Sequence, residues 1–314
     1  MKRLIITLLF ICFLAFIACS CSVRTQDTED ATVIFTDALG REVSIEKKPE
    51  RVASLLGSFA DVWVLSGGEL CAAAEDAWED FGLELKDAVN IGGAHSPNLE
   101  LLLYADPDFV LASASTASNV EMRETLEAAG IRVAYFDVDN FDDYLGMLDI
   151  CTDITGRKDL YEQNGLQLQK QIEEIKTQYS QADFSQEQRT VLLLRTSSGF
   201  VKAKGSEGTI LGEMLSDMDC INIADSDVSL LENLSVEAVI RENPHHIFVV
   251  TMGSDTEAAL KSLDSMIKEN PAWGLLDAMQ QDRIYLMDKT LFNLKPNVRW
   301  AEAYQKLYEL LSRQ

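Results

Sequence analysis

The apolar and polar positions of this chain form short strand-like runs that alternate with helix-like stretches. Apolar runs at 51–56, 109–112 and 191–195 are each followed within two residues by glycine or serine, and then by a segment with helical spacing. Strands that alternate with helices are typical of parallel βαβ units. The pattern therefore predicts an α/β fold with mostly parallel sheets.

One strand–helix element occurs twice along the chain. Asn98 precedes Glu100 by two positions and Pro107 follows that glutamate by seven; Ser235, Glu237 and Pro244 repeat this spacing. Each copy reads as a helix cap, a short amphipathic helix, a proline stop and then a buried strand. The repeat predicts two similar lobes, each of which presents one acidic helix N-terminus.

The segment between the lobes has a different pattern. From Lys158 to Tyr179 it contains no proline, and its polar positions are rich in Gln, Glu and Lys. Its apolar residues are Leu160, Leu166, Leu168, Ile172, Ile175 and Tyr179. This spacing predicts one long helix with a solvated side. We therefore divide the chain into an N-terminal lobe (33–153), a bridging helix (154–182) and a C-terminal lobe (183–314), and a single rigid helix permits only small hinge or twist motions.

The N-terminal segment has the features of an export signal. Lys2 and Arg3 precede an apolar run that ends at Ala18–Cys19 and is too short for a typical membrane span. The pattern predicts a signal peptide at 1–18 and a flexible tether at 19–32. The Ala–Cys ending resembles a bacterial lipobox, which makes Cys19 the expected lipidation site and Cys21 the alternative. An ordinary signal peptide and an uncleaved anchor are the other readings.

Charge and cysteine content exclude several classes of partner. The formal net charge is −24 at pH 7, which disfavours nucleic acid and anionic lipid as direct partners. Cys71, Cys151 and Cys220 are scattered singly, without the spacing of a metal site. They are expected to be buried thiols, and a disulfide among them is the alternative.

With these elements placed, the chain resembles the substrate-binding lipoproteins of bacterial ABC importers for ferric siderophores, haem and cobalamin. The resemblance covers nearly the whole mature chain. It is carried by the order and spacing of these segments: 37–43, 48–54, 97–110, 127–133, the bridging helix and 235–237. It implies two α/β lobes joined by one long helix, with the ligand in the cleft between them. It also implies a lipid-anchored extracytoplasmic monomer without an intrinsic cofactor or metal.

The resemblance implies a function for the repeated glutamates as well. In the family, one glutamate on each lobe docks onto arginines of the permease dimer, which works with its ATPase; the matching positions here are Glu100 and Glu237. The alternative is that an acid at this position only complements the helix dipole, an effect of about 0.3–1 kcal/mol.

Ligands of open α/β sheets bind beyond the carboxyl ends of the strands. The expected ligand-contacting residues combine basic groups for an anion, aromatic walls, and the loop residue His95, whose imidazole suits haem iron. They are Ser58, Phe59, Trp78, His95, Ser113, Arg195, Lys202, Lys289, Phe292 and Arg299. The basic residues are equally compatible with solvated positions, and the aromatic residues with the core.

Two further clusters are interpreted as unrelated to the ligand. The acidic run 75–80 around Trp78 is expected to be a solvated loop, with a cation site as the alternative. His245 and His246 precede a strand at the end opposite the cleft, and are expected on the surface.

The sequence thus predicts a solute receptor that delivers an iron complex, in the first place a ferric siderophore, to an ABC importer. A haem or cobalamin receptor of the same fold is the alternative. An extracytoplasmic enzyme is disfavoured because the chain lacks a G-x-S-x-G elbow, an H-E-x-x-H motif and a phosphate-binding glycine loop. A sensor or adhesion module is the remaining reading.

Overall fold

The computed structural model describes residues 32–253 and 255–313. The predicted leader, Cys19 and Cys21 lie outside the described residues. The tether was predicted to extend to residue 32, but Thr32 already begins the first strand. Within the described part of the chain, no helix is long and apolar enough to cross a membrane. Cys71, Cys151 and Cys220 are free thiols; Cys151 is buried as expected, whereas Cys71 and Cys220 are only partly buried.

The N-terminal lobe is built on a five-stranded parallel sheet in the order β5-β4-β3-β6-β7. An antiparallel hairpin of β1 and β2 precedes it. The strands are β1 (Thr32–Thr36), β2 (Glu42–Glu46), β3 (Val52–Ser54), β4 (Ala72–Ala73), β5 (Val89–Asn90), β6 (Phe109–Ser113) and β7 (Arg132–Phe136). The helices are α1 (Gly57–Leu65), α2 (Asp76–Glu79), α3 (Leu99–Tyr104), α4 (Ala117–Glu121), α5 (Arg123–Ala128) and α6 (Phe141–Thr155).

A continuous helix of three segments follows: α7 (Lys158–Tyr161), a π-helical turn (Glu162–Leu166) and α8 (Gln167–Gln181). The predicted bridging helix is present, but it begins at Lys158 and not at 154, because residues 154 and 155 are the end of α6 and Gly156 caps that helix. The π-helical turn attaches it to the N-terminal lobe, because the buried Asn164 donates to the carbonyl of Leu65 at 2.8 Å and its own carbonyl accepts from the Tyr144 hydroxyl at 2.8 Å. Gly165 lies so close to Leu145 and Leu148 that a Cβ there would sit 3.0 Å from Leu145.

The C-terminal lobe repeats the plan with a parallel sheet in the order β10-β8-β11-β12. Its strands are β8 (Thr190–Ser197), β9 (Phe200–Lys204), β10 (Ile221–Asn222), β11 (His246–Thr251) and β12 (Ile284–Leu286). Its helices are α9 (Ile210–Asp217), α10 (Val228–Asn233), α11 (Val236–Glu242), α12 (Thr256–Glu269), α13 (Asp277–Gln280), α14 (Lys289–Phe292) and α15 (Trp300–Leu311). β10 pairs with the start of β8 and β9 pairs antiparallel with its end. Two similar α/β lobes with mostly parallel sheets are therefore confirmed.

Among the described residues, each lobe has a hydrophobic cluster of its own, and a further, larger cluster is shared between the lobes. Ile172 and Tyr179 of the bridging helix are buried in one cluster with residues of both lobes. In the same cluster Phe141 of α6 meets Trp300 of α15 edge to face, with ring centroids 5.9 Å apart. Residues of both lobes pack against this helix in one cluster. The packing of the helix therefore holds the two lobes at a set distance.

A matched pair of glycine substitutions tests how closely individual helices pack within the lobes. Gly212 lies in α9, where an added Cβ would be 2.3 Å from the carbonyl oxygen of Ser206, whereas Gly146 in α6 has nothing within 4 Å. Gly212→Ala is expected to destabilise the protein by about 1–3 kcal/mol through overpacking. Gly146→Ala should stabilise it by about 0.5–1 kcal/mol, because alanine is the better helix former. Thermal unfolding measures both, and equal melting temperatures would contradict the described packing.

Candidate ligand-binding cleft

The cleft lies where the carboxyl ends of both sheets face each other, and a segment of the C-terminal lobe crosses it at one end. We call this segment, residues 288–299, the strap. Three side-chain hydrogen bonds join the described residues of the N-terminal lobe (32–155) directly to those of the C-terminal lobe (after 182). All three are donated by residues of the strap. The strap therefore sets how far the cleft opens at this end.

Asn297 is the central residue of the strap. Its side chain is fully buried and donates to the carbonyl of Ser58 at 2.9 Å and to Oδ2 of Asp61 at 2.8 Å, both in the first turns of α1. Its φ of 52° is left-handed, a conformation that asparagine tolerates better than most residues. Burial raises the pKa of the Asp61 carboxyl, and the hydrogen bond from Asn297 opposes this.

Two lysines of the strap face carboxylates of the N-terminal lobe. Lys289 forms an ion pair with Asp80, with 3.0 Å between Nζ and Oδ1. Lys295 is half-buried and pairs with no described residue within 4 Å. Burial lowers its pKa, and the nearby Asp139, Asp137 and Asp143 oppose that shift. The acidic wall of the N-terminal lobe thus attracts cations of the opposite lobe.

The C-terminal lobe contains a basic pocket of about 780 Å³ beside the end of β8. Arg195, Lys202 and Lys204 contribute its cations. None of the three forms an ion pair with a described residue, and the Arg195 Nε is buried without a hydrogen-bond partner. Burial lowers the pKa of Arg195, and burial together with Arg195 and Lys202 lowers that of Lys204. The cations repel one another, so an anion bound here would relieve an existing electrostatic cost.

Tight loop contacts hold the wall of this pocket in place. Asp225 accepts hydrogen bonds from the backbone N–H and the hydroxyl of Ser206, at 2.8 and 2.7 Å. Asn222 donates to the carbonyl of Lys204, and Thr209 caps α9 by accepting from the Gly212 N–H. The loop between β9 and α9 is therefore preformed, which reduces the ordering cost of binding.

A second cavity of about 330 Å³ lies between the lobes along the bridging helix. Its lining includes the carboxylates of Asp142, Glu173, Glu213 and Asp217. The cation of this cavity, Lys176, is already paired with Glu173 and Asp217. This cavity has four carboxylates and one cation, whereas the pocket at Arg195 has three cations and the two acids Glu207 and Asp225. The pocket at Arg195 is therefore the better candidate for an anionic ligand.

The acidic run 75–80 is not the solvated loop expected from the sequence. Residues 76–79 form α2, and Oδ2 of Asp76 accepts from the Gly57 N–H at the start of α1 at 2.9 Å. Burial raises the pKa of Asp76, and Asp80 adds to that shift, while the Gly57 N–H and the nearby His95 oppose it. This run is thus part of the cleft wall, with Trp78 half-buried behind it and His95 exposed beside it.

The predicted serine and aromatic contacts are mostly behind the surface of the cleft. Phe59 and Phe292 are core residues, so their prediction as ligand walls is corrected. Ser58 and Ser113 are buried; Ser113 bonds to the Ser115 hydroxyl at 3.0 Å. The sequence pattern does not distinguish an aromatic residue of the core from one that lines the cleft. A helix that begins at the cleft has apolar residues on the side that packs into the core as well.

Arg299 does not join the basic pocket. It pairs with Glu302 in the first turn of α15, the helix that follows the strap, at 2.7 Å. Sequence reasoning missed Asn297 and Asp61 entirely, since only Pro296 marked a break nearby. The one weak signal was an asparagine directly after that proline.

The two adjacent histidines differ from the expectation in one respect. His245 is half-exposed, but His246 is completely buried in β11, so its prediction as a surface residue is wrong. Burial, His245 and Arg283 lower the pKa of His246 to about 3. Both nitrogens of His246 lack a described partner, and the ring packs beside Phe248 and Tyr285. It is a neutral core residue and not a ligand group.

The repeated glutamates occupy equivalent places in the two lobes. Asn98 and Ser235 cap α3 and α11, accepting from the N–H groups of Leu101 and Ala238. Glu100 and Glu237 are the second residues of these helices, and both are exposed. Neither forms an ion pair with a described residue, so both are accessible to a cationic partner.

Two α/β lobes joined by one bridging helix, with a basic pocket in the C-terminal lobe, define a bilobed solute-binding protein. The family model described as "Periplasmic binding protein" matches residues 52–291. The chain belongs to this family, and the resemblance predicted from the sequence is confirmed.

Similar proteins agree with this assignment. The uncharacterized ABC transporter substrate-binding lipoprotein YvrC of Bacillus subtilis (strain 168) is 22% identical over 286 residues, which cover 90% of this chain and 87% of YvrC. Staphylococcus aureus SirA, complexed with staphyloferrin B, superposes with a TM-score of 0.70 at 20% identity, covering 90% of this chain and 99% of SirA. S. aureus IsdE, complexed with heme, gives 0.68 at 19% identity, covering 84% and 99%. At these identities the solved structures establish the fold.

The contact between Asp61 and the strap predicts a pH-dependent stability effect. Because the folded-state pKa of Asp61 is raised above its ordinary value of 3.8, its ionised form destabilises the folded protein, and this cost appears as pH rises through the folded pKa. Asp61→Asn keeps an acceptor for Asn297 and removes the charge. The variant should therefore melt higher than the parent at pH 7, and this gain should vanish below pH 3.8. Melting curves across pH test this, and a gain that is equal at all pH values would contradict it.

Proposed function

We propose that this chain is the solute receptor of an ABC importer and that it carries an anionic ferric siderophore. The observation that supports this most directly is the basic pocket at Arg195, Lys202 and Lys204, whose three cations lack an ionic partner among the described residues. In a chain of net charge −24, such a cluster of unpaired cations would attract an anionic ligand.

The donor chemistry suits an oxygen-rich chelate. The guanidinium of Arg195 offers planar paired donors, while Lys202 and Lys204 act as mobile point charges. Catecholate or carboxylate oxygens around iron would accept from both kinds of group. SirA, which shares the fold, is a protein complexed with staphyloferrin B. This supports a siderophore as the class of ligand.

Haem is the second candidate, because one observation favours it. His95 is exposed at the N-terminal wall of the cleft, close to Asp76, and imidazole is a common haem ligand. The haem carboxylates would then use the basic pocket, and IsdE shows that the fold accommodates heme. Cobalamin, which has no comparable need for three cations, ranks lower.

In this proposal the receptor docks onto its permease through weak ion pairs and dissociates again after each delivery. Single exposed ion pairs contribute about 0.2–1 kcal/mol, so Glu100 and Glu237 alone would dock only transiently. A lipid anchor at Cys19 would hold the protein beside its permease at high effective concentration. YvrC is named a lipoprotein, which supports an extracytoplasmic, membrane-anchored location.

Ligand titration tests the pocket. The mature chain is purified and its tryptophan fluorescence is titrated with ferric catecholate, ferric carboxylate and ferric hydroxamate siderophores, haem and cobalamin. Arg195→Gln and Lys202→Gln should each weaken binding of the preferred anionic chelate roughly tenfold to a hundredfold, the worth of one charge-assisted hydrogen bond.

Lys47→Gln is the matched control, since it removes the same charge from an exposed position in the N-terminal hairpin region. Unchanged affinity in the pocket variants would contradict the proposal that the siderophore binds at Arg195 and Lys202. A Soret band that is lost in His95→Ala would instead establish haem as the ligand.

Docking is tested by replacing the repeated acids. Glu100→Gln combined with Glu237→Gln should strongly reduce uptake of the chelate identified by titration, while its affinity for the purified receptor stays unchanged. Glu124→Gln, at an exposed position of α5, is the control and should transport normally. Normal uptake by the double variant would refute the docking assignment.

A further inference from the structure

The exposed side of α3 carries an unusual set of residues for a solvated helix face. Five large apolar residues of the N-terminal lobe are exposed among those described, and three of them lie on this six-residue helix. Tyr104 is 79% exposed, Leu101 39% and Leu103 37%. Contiguous exposed apolar residues commonly mark an interaction surface.

These residues surround Glu100. At 100° per residue, Glu100 and Tyr104 stand one turn apart at the centre of the exposed face, and Leu101 and Leu103 lie on either side. Leu102, on the opposite side, is completely buried. Glu100 has no hydrogen bond or ion pair with a described residue, so the face offers a free carboxylate beside an exposed aromatic ring.

The equivalent helix of the other lobe lacks this apolar face. In α11, all of whose residues are described, no large apolar side chain is exposed. The position that corresponds to Tyr104 is Arg241, which already pairs with Asp227 and Glu242. The repeated glutamates therefore sit in two different chemical settings.

We propose that the Glu100–Tyr104 face of α3 is the main docking surface for the permease, and that one permease arginine pairs with Glu100 while its guanidinium stacks on Tyr104. This rests on the proposed transport function. An arginine fits both groups at once, because its planar guanidinium forms paired hydrogen bonds with a carboxylate and stacks on aromatic rings. Leu101 and Leu103 exclude water around this contact. The contact at Glu237 is then secondary.

Site-specific photo-crosslinking in cells that contain the native transporter tests this proposal. The photoreactive residue p-benzoylphenylalanine replaces Tyr104, Arg241 or Ile34 in the full-length chain; Ile34 is an exposed apolar control in the N-terminal hairpin. The Tyr104 position should form a product with a permease subunit, identified by mass spectrometry, at least fivefold more abundantly than the Arg241 position. The Ile34 position should form none.

Adding Glu100→Gln to the Tyr104 probe should lower its permease yield at least fivefold, and adding Glu124→Gln should not. A permease product from Arg241 but not from Tyr104 would overturn this inference and leave the transport function standing. An unchanged yield in Glu100→Gln would overturn the arginine contact, and a product with a second copy of this chain would overturn the choice of partner. The absence of a permease product from all three positions would count against the transport function itself.

Discussion

The packing of one helix into the cores of both lobes is the constraint on which the rest of the molecule depends. Ile172 and Tyr179 are buried in a cluster that includes residues of both lobes, and the π-helical turn at Glu162–Leu166 anchors the same helix to α1 and α6. A close-packed core has low compressibility, so it permits only small rotations of the lobes. The bridging helix therefore limits changes in the spacing of the lobes, which favours binding by side chains that are already in place.

Charge is distributed unequally across that gap. The N-terminal wall presents Asp76, Asp80, Asp137 and Asp139, and the C-terminal wall presents the pocket of Arg195, Lys202 and Lys204. The strap carries Lys289 and Lys295 to the acidic wall, where they offset part of its charge. This leaves the cations of the C-terminal pocket free for an anionic solute. A net negative charge on the whole chain is thus compatible with a local basic site. Salt screens the interactions between exposed charges beyond a Debye length of about 8–10 Å.

Much of the architecture was predictable, since it depends on local patterns. The alternation of strands and helices, the bridging helix and the matched caps at Asn98 and Ser235 all follow from the spacing of apolar, capping and proline residues. Arg195 and Lys202 were predicted as ligand contacts because a basic residue at the carboxyl end of a strand stands out in an acidic chain, and the structure places both in the lining of one pocket. Phe59, Phe292 and His246 were misplaced, because periodicity does not distinguish a side chain that lines a cleft from one that fills the core behind it.

The sequence by itself determined the class of fold, the two-lobed plan and the presence of one exposed acid on each lobe, because these depend on neighbours within a few residues. Only the tertiary structure decided that Asn297 meets Ser58, a residue 239 positions away, and that Lys289 is already paired with Asp80. It also decided that Tyr104 remains exposed while Leu102 is buried. Contacts between distant segments depend on how whole lobes pack, and no local pattern encodes that geometry.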